Sequence, residues 1–266
     1  MTPDQHTSAA KALLHAEATG VQIGLLSQQY PGMGMDDAYQ IQQEIYREKL
    51  ELGRKVVGWK IGLTSKAMQY ALNIDIPDSG ILFDDMVFDN QATIPKGRFI
   101  QPRIETEIAF VMKTCVGGDD VSREDILAAT DFVAPSIEIL DTRILRLDPA
   151  SNKSRTVFDT ISDNAANAGI VLGTERHPVE SINLPWVGAI TSRNGDVEET
   201  GLAAGVLGDP VESVVWLARR MAKYSQSIEP GHVILSGSFI RPVECPSGSR
   251  IHADFGTFGS VSVNFE

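Results

Sequence analysis

Cysteine is almost missing: Cys115 and Cys245 are the two thiols in 266 residues. Two thiols cannot build a disulfide framework, and they suit a chain kept reduced in the cytoplasm. Basic residues are scarce as well. Lys and Arg number 23 against 35 Asp and Glu, a net charge of −12. Nucleic-acid binders carry a basic footprint, and proteins held by anionic lipid carry a basic patch, so the balance argues against both. No apolar run approaches the ~20 residues that span a bilayer. The opening MTPDQHTSAAKALLHAEATG lacks the apolar centre of a secretory signal. Repeats and low-complexity tracts are absent. So are G-x-x-x-x-G-K-[ST], a G-x-G-x-x-G after a strand, C-x-x-C and H-E-x-x-H. Histidine is sparse, and His232 and His252 sit in strand-like surroundings that suit structural roles. Nucleotide, zinc and thiol chemistries are disfavoured together.

What is present is enough apolar residue for a folded core: 42% hydrophobic and only 22% charged. The first 55 residues read as a helical N-terminal region. Ala9, Ala10, Leu13 and Leu14 recur at helical spacing. Asp36 and Asp37 suit a helix start, Ala38, Ile41, Ile45 and Tyr46 line one face, and Gly53 ends it. The intervening YPGMGMDD is a loop. From residue 56 to 266 the character changes to short apolar runs between Gly, Pro, Asp and Asn: VVGWKIGL, RIETEIAFVMK, APSIEILDT, GIVLG, HVILSGSFI and SVSVNF. These read as strands. Two helices interrupt them. One spans Ser122 to about Thr130 behind an S-x-x-D capping box, and one spans Val211 to Lys223 with Val214, Val215, Leu217, Ala218 and Met221 on its buried face.

Four segments carry chemistry. In Ile104-Glu105-Thr106-Glu107, strand alternation sends both carboxylates to one face. Glu138, flanked by Ile137 and Ile139, adds a third in another apolar strand. Three converging carboxylates without a Cys or His cluster suit a hard cation, Mg²⁺ or Mn²⁺. The competing reading is an E-x-E pair facing solvent on a half-buried strand. Lys60, in an apolar strand bounded by Gly58 and Gly62, is either a desolvated proton-transfer group with a lowered pKa or a lysine whose stem covers apolar surface. Asp78, in the turn-like IPDSG, is either a turn former or a carboxylate at the site mouth. The segment FDTISDNAANAG, with Ser162, Asp163 and Asn164, supports a site by hydrogen bonds or is a turn-rich connection. Ser238 of LSGSF is an oxyanion contact or a strand end.

Taken together, in order and over nearly the whole chain, GWKIGLTSKAMQ, PDSGILFDDM, IETEIAFV, SIEILDTR, FDTISDNAANAGIVLG, EETGLAAGVLGDP and LSGSFIRPV resemble the 2-keto-4-pentenoate hydratase / 4-oxalocrotonate decarboxylase family. That family lies within the fumarylacetoacetate-hydrolase-like superfamily. The wording of FDTISDNAANAG resembles the branch that hydrates 2-oxohept-4-ene-1,7-dioate in meta-cleavage catabolism of aromatic compounds. The resemblance implies an α+β fold, with residues 1–55 as a helical region packed on a mixed β-sheet roll formed by a catalytic domain, 56–266. It implies Mg²⁺ (or Mn²⁺) on Glu105, Glu107 and Glu138. It implies proton transfer by Lys60 and Asp78, and substrate contacts at Ser162, Asp163, Asn164 and Ser238. The implied reaction adds water at carbon 4 of a 2-hydroxydienoate or 2-oxo-enoate. The alternatives are decarboxylation of 2-oxo-3-hexenedioate, hydration of 2-oxopent-4-enoate, acylpyruvate cleavage and a non-catalytic partner subunit. A cytoplasmic homo-oligomer acting on a small molecule, with no nucleic acid or membrane, is implied as well. Ser79 and Trp59 depart from the family wording beside two of these positions and leave the substrate tail open. The basic cluster Arg143, Arg146, Lys153 and Arg155 either meets the far carboxylate of a diacid, through Arg155 above all, or is a solvated loop.

Overall fold

The structure is a computed structural model that describes residues 1–66, 69–70 and 76–266. Ala67 and Met68, which belong to the GWKIGLTSKAMQ segment, lie outside the described residues. The first half of the chain supplies strands β1 (Val56–Gly62), β2 (Asp78–Phe83), β3 (Val87–Phe88), β4 (Thr93–Ile94), β5 (Arg103–Met112) and β6 (Thr130–Leu140). A small ribbon follows, β7 (Leu147–Asp148) with β8 (Lys153–Ser154), and then β9 (Asn167–Leu172). The remainder are β10 (Gly188–Arg193), β11 (Asp196–Leu202), β12 (Val233–Leu235), β13 (Val243–Glu244), β14 (Arg250–Asp254) and β15 (Ser260–Phe265). The large sheet runs β2-β1-β12-β5-β6-β9-β3, with β13 also on β5, and mixes parallel and antiparallel pairs. A second sheet runs β11-β10-β14-β15-β4. Helices and mixed sheets together make the α+β class.

The large sheet curls until β2 approaches β9. Asn164 and Asn167 close that seam on one peptide of β2. Asn164 accepts from Ile81 N at 2.8 Å and donates to Ile81 O at 2.9 Å, and Asn167 donates to the same oxygen at 3.1 Å. All three residues are buried, so the bonds replace a missing ladder where water cannot reach. Residues 164–166 hold φ of 51°, 52° and 61°, a left-handed turn built without glycine. Such backbone is unfavourable by roughly 1–2 kcal/mol per residue.

The N-terminal helices behave as their spacing predicts. Pro3–Thr19 is capped by Thr2 and closed by Gly20, and Met35–Glu51 buries Ala38, Ile41 and Ile45. Their shared core also takes in Ile144 and Ile161 from beyond residue 140. Helix Val157–Ser162 is the main departure from the sequence reading, in which FDTIS belongs to a turn-rich connection. Thr156 and Asp159 form a capping box that starts it. Asp159 is fully buried and does two jobs. It accepts from Thr156 N and Oγ1 at 2.7 and 2.9 Å, and from Ser27 N and Oγ at 2.9 and 2.7 Å. Among the described residues no helix is long and apolar enough to cross a membrane.

Asp159 therefore joins the N-terminal region to the sheet body through one carboxylate. Asp159→Ala should remove the acceptor shared by exposed Thr156 and half-buried Ser27 and lower the unfolding free energy by about 2 kcal/mol. Urea denaturation of the variant beside the wild type measures this.

Candidate active site

Strand alternation on β5 puts Arg103, Glu105 and Glu107 on one face. The antiparallel register with β6 then sets Glu138 directly across from Glu105, and Ser136 across from Glu107. One oxygen of each of the three Glu side chains lies within 4.8 Å of the others. Glu107 and Glu138 are fully buried and Glu105 is half-buried. The solvent-facing reading of E-x-E does not hold. Gly237 N donates to Glu107 Oε2 at 2.7 Å. Gly237 sits at φ 116°, and a Cβ there would strike Thr64. Glu107 Oε1 and Glu138 Oε2 have no hydrogen-bond partner among the described residues.

Lys60 comes from β1, with Nζ 3.2 Å from Glu138 Oε1. Asp78 is not in a turn: it begins β2, opposite Gly62. A Cβ on Gly62 would collide with Asp78 Oδ1, and one on Gly80 would stand 3.3 Å from Lys60 Cε. These glycines let the ammonium and carboxylate come together. Burial raises the pKa of Glu107, Glu138 and Asp78, and lifts Glu105 to about 7 with help from neighbouring Glu138. Burial alone would lower Lys60, but Glu138, Asp78, Glu105 and Glu107 outweigh it and its pKa is raised. The expectation of a lowered lysine pKa is corrected: carboxylates on every side keep Lys60 charged.

Fully ionised, four carboxylates against one ammonium leave three uncompensated negative charges. An all-oxygen donor set with orphaned buried atoms fits a hard divalent cation. Glu105, Glu107 and Glu138 are the residues able to hold one.

A cavity of about 280 Å³ abuts this cluster, lined by Lys60, Asp78, Glu105, Arg103, Arg155, Ala165 and Ala166 among others. Arg155 is the member of the basic cluster that reaches it, braced by a 2.9 Å bond from Nη1 to Thr142 Oγ1. Burial draws its pKa down to about 10. The others are engaged elsewhere. Arg143 is buried against Asp163, Arg146 pairs with Glu244 at 2.6 Å, and Lys153 is exposed. Arg103 escaped the sequence reading, although it stands at the next same-face position before Glu105. Its buried Nε has no partner among the described residues.

Ser162, Asp163, Asn164 and Ser238 do not line this cavity. Asp163 accepts from Arg143 N at 2.9 Å, and its peptide oxygen accepts from Arg143 Nη2 at 2.7 Å. Burial lifts its carboxyl to about 6 despite that guanidinium. Asn164 closes the seam on Ile81, and the Ser162 hydroxyl is buried without a partner. Ser238 turns onto Ile240, donating to its oxygen at 2.9 Å, and leaves the Glu107 contact to the backbone of Gly237. These residues shape the wall from behind, with Ala165 and Ala166 in front. Trp59 and Ser79 also lie elsewhere. They face the reverse side of β1 and β2 and line a separate cavity, so they do not border the expected tail position. A wider groove of about 750 Å³, beside Phe99, Arg146 and Cys245, holds Arg146 but none of the candidate carboxylates, Lys60 or Arg155.

The curled mixed sheet defines a fumarylacetoacetate-hydrolase-like fold. A fumarylacetoacetate hydrolase family protein described as putative, from Yersinia pestis CO92, superposes with a TM-score of 0.56 at 13% identity, over 78% of this chain and 92% of that one. That likeness is one of fold alone. No family model matches the chain. The chain is 46% identical over 260 residues to a 2-oxo-hept-4-ene-1,7-dioate hydratase of Escherichia coli, covering 98% of this chain and 97% of the relative. It superposes with a TM-score of 0.93 on a 4-oxalocrotonate decarboxylase from Pseudomonas putida G7 complexed with magnesium and adipate, at 32% identity over 100% and 99% of the two chains. The chain belongs to the 2-keto-4-pentenoate hydratase / 4-oxalocrotonate decarboxylase family, a family of lyases.

A buried carboxyl whose pKa is raised on folding stabilises the protein below its unfolded value and loses that contribution as pH rises through the folded value. For Glu105 the window runs from its ordinary value of 4.5 to about 7. Chelator-treated protein should therefore lose thermal stability across that window. Mg²⁺ should restore the most at its upper end. Glu138→Gln should remove the Mg²⁺ effect while retaining a folded protein. Calorimetric scans with Mg²⁺ or chelator at several pH values check both expectations.

Proposed function

We propose that the chain is a divalent-metal-dependent hydratase that converts 2-oxohept-4-ene-1,7-dioate to 4-hydroxy-2-oxoheptanedioate. The observation that carries this reading is the buried Glu105–Glu107–Glu138 cluster beside a cavity that also presents two guanidiniums. The name and 46% identity of the E. coli relative support the seven-carbon diacid. Glu105, Glu107 and Glu138 would hold Mg²⁺ or Mn²⁺. The P. putida neighbour's magnesium supports that ion. Bound there, the cation supplies positive charge for the substrate's 1-carboxylate and 2-oxygen.

The chain's own residues do the rest. Conjugating the double bond with the ketone takes a proton from carbon 3 and returns one to carbon 5. Asp78 would accept a proton, a role supported by its buried Oδ1 having no hydrogen-bond partner among the described residues. Lys60 Nζ, held protonated by the carboxylates around it, would deliver one. Water then adds at carbon 4 and carbon 3 is reprotonated, so every substrate carbon is kept. Arg155 and Arg103 bind the far carboxylate, where a planar fork gives direction as well as charge. A five-carbon monoacid would leave those guanidiniums unmet, which places 2-oxopent-4-enoate hydration behind. Decarboxylation of 2-oxo-3-hexenedioate is the second reading, favoured by the P. putida neighbour, and it would use the same cluster.

Product NMR separates the two readings, because hydration retains all carbons and decarboxylation releases one. Lys60→Ala should reduce turnover by roughly 10²–10⁴-fold while Mg²⁺ still binds. Near-normal turnover at saturating substrate and metal would remove Lys60 from the chemistry. Wild type should prefer the seven-carbon diacid over the five-carbon monoacid in kcat/KM. Arg155→Ala should lose about 2 kcal/mol of that preference, consistent with an unmet charged hydrogen bond. An unchanged ratio would discard the arginine assignment.

A further inference from the structure

Trp59 and Ser79 are strand neighbours of Lys60 and Asp78, so their side chains stand on the opposite face of β1 and β2. There they line a second cavity of about 250 Å³ together with Tyr39, Ile81, Arg220 and Tyr224. The proposed reaction uses none of these side chains. Arg220 comes from helix Pro210–Ala222. Its guanidinium carbon lies 3.9 Å from the Tyr39 ring centre and 5.6 Å from those of Trp216 and Tyr224. No carboxylate pairs with it among the described residues, on a chain with twelve more acids than bases. A guanidinium stacked on rings keeps its edge N–H groups for a carboxylate. Trp59 is 8% exposed, and its buried Nε1 has no partner among the described residues. A buried unmet donor is unfavourable, and a bound acceptor would remove that cost.

We propose that this cavity is a second ligand site, across the sheet from the catalytic one, that takes a small planar organic carboxylate. The carboxylate would sit on the edge of Arg220 and on Trp59 Nε1. The flat body would lie against Trp59, Ile81 and Met221. The guanidinium, the indole N–H, the aromatic wall and the apolar Ile81 and Met221, with glutamines around the rim, suit that chemistry over an inorganic anion, which would leave the apolar side empty. Asp78 lies close enough for its charge to be felt, but on the far face beside Lys60.

Benzoate is the probe and benzamide its uncharged counterpart. Each is titrated into the full chain with Mg²⁺ present, followed by calorimetry and tryptophan fluorescence. Benzoate should bind saturably, once per chain. Benzamide should bind at least tenfold more weakly. Arg220→Gln should weaken benzoate at least tenfold. Trp59→Phe, which keeps a ring and removes the N–H, should weaken it severalfold. Arg155→Ala, in the catalytic cavity, should leave it unchanged. The proposal is overturned by no binding to wild type, as when a second copy of the chain covers the cavity. Equal binding of benzamide overturns it too, as does loss of binding in Arg155→Ala with retention in Arg220→Gln and Trp59→Phe.

Discussion

Glu105 and Glu138 face each other across an antiparallel ladder, and that placement governs the rest of the site. Like charges directly opposite on a sheet repel even at the surface. Here Glu138 is buried with Glu107 and Asp78, Glu105 is half-buried beside them, and Lys60 is the cation in direct contact among the described residues. The sheet has to be curled and closed for the cluster to exist, because a flat sheet would leave one face to water. The seam on Ile81 and the glycines beside Lys60 serve that end. A buried cluster with surplus negative charge has two ways out, protonation or a cation. Raised carboxyl pKa values describe the first. The all-oxygen donor set describes the second.

Much of this was legible in the residues. The helices that pack on one face announced themselves through Ala38, Ile41 and Ile45, and through Val214, Leu217 and Met221. The capping box at Ser122 marked its helix to within a residue. The carboxylate trio could be suspected from alternation on Glu105 and Glu107 plus the isolated Glu138. Its confirmation as a cluster needed the register of β5 with β6, a long-range fact that no local pattern contains. Asp78 was misplaced because Pro77 and Gly80 resemble a turn, while the pairing with Gly62 makes a strand. The small polar residues of SDNAANAG were read as substrate contacts, yet they serve the seam and Arg143. Short polar side chains suit both uses, and only their partners separate them. Arg103 and the Gly237 amide carried no signal of their own. An arginine at the first position of a strand is common, and a backbone donor has no letter in the sequence.

Hydratases and decarboxylases share this family because both reactions build negative charge on the same oxygen of a 2-oxo acid. The shared carboxylate cluster answers that demand. Distinctions between substrates then fall to the walls. In this chain, the wall comes from the segment after β6, which supplies Arg155, the left-handed turn and the two alanines. A rigid turn held from behind by Asn164 and Asp163 gives that wall a defined position without placing its polar groups in the cavity.

The small apolar core under the first two long helices is finished by Ile144 and Ile161, far along the chain. During synthesis, those helices leave the ribosome able to pack on one another but with their shared core unfinished. At ordinary translation speeds, the missing pieces follow roughly ten seconds later. Over that interval part of the apolar face of the N-terminal helices stays uncovered. The Ser27–Asp159 weld cannot form until more than half of the polypeptide has been made.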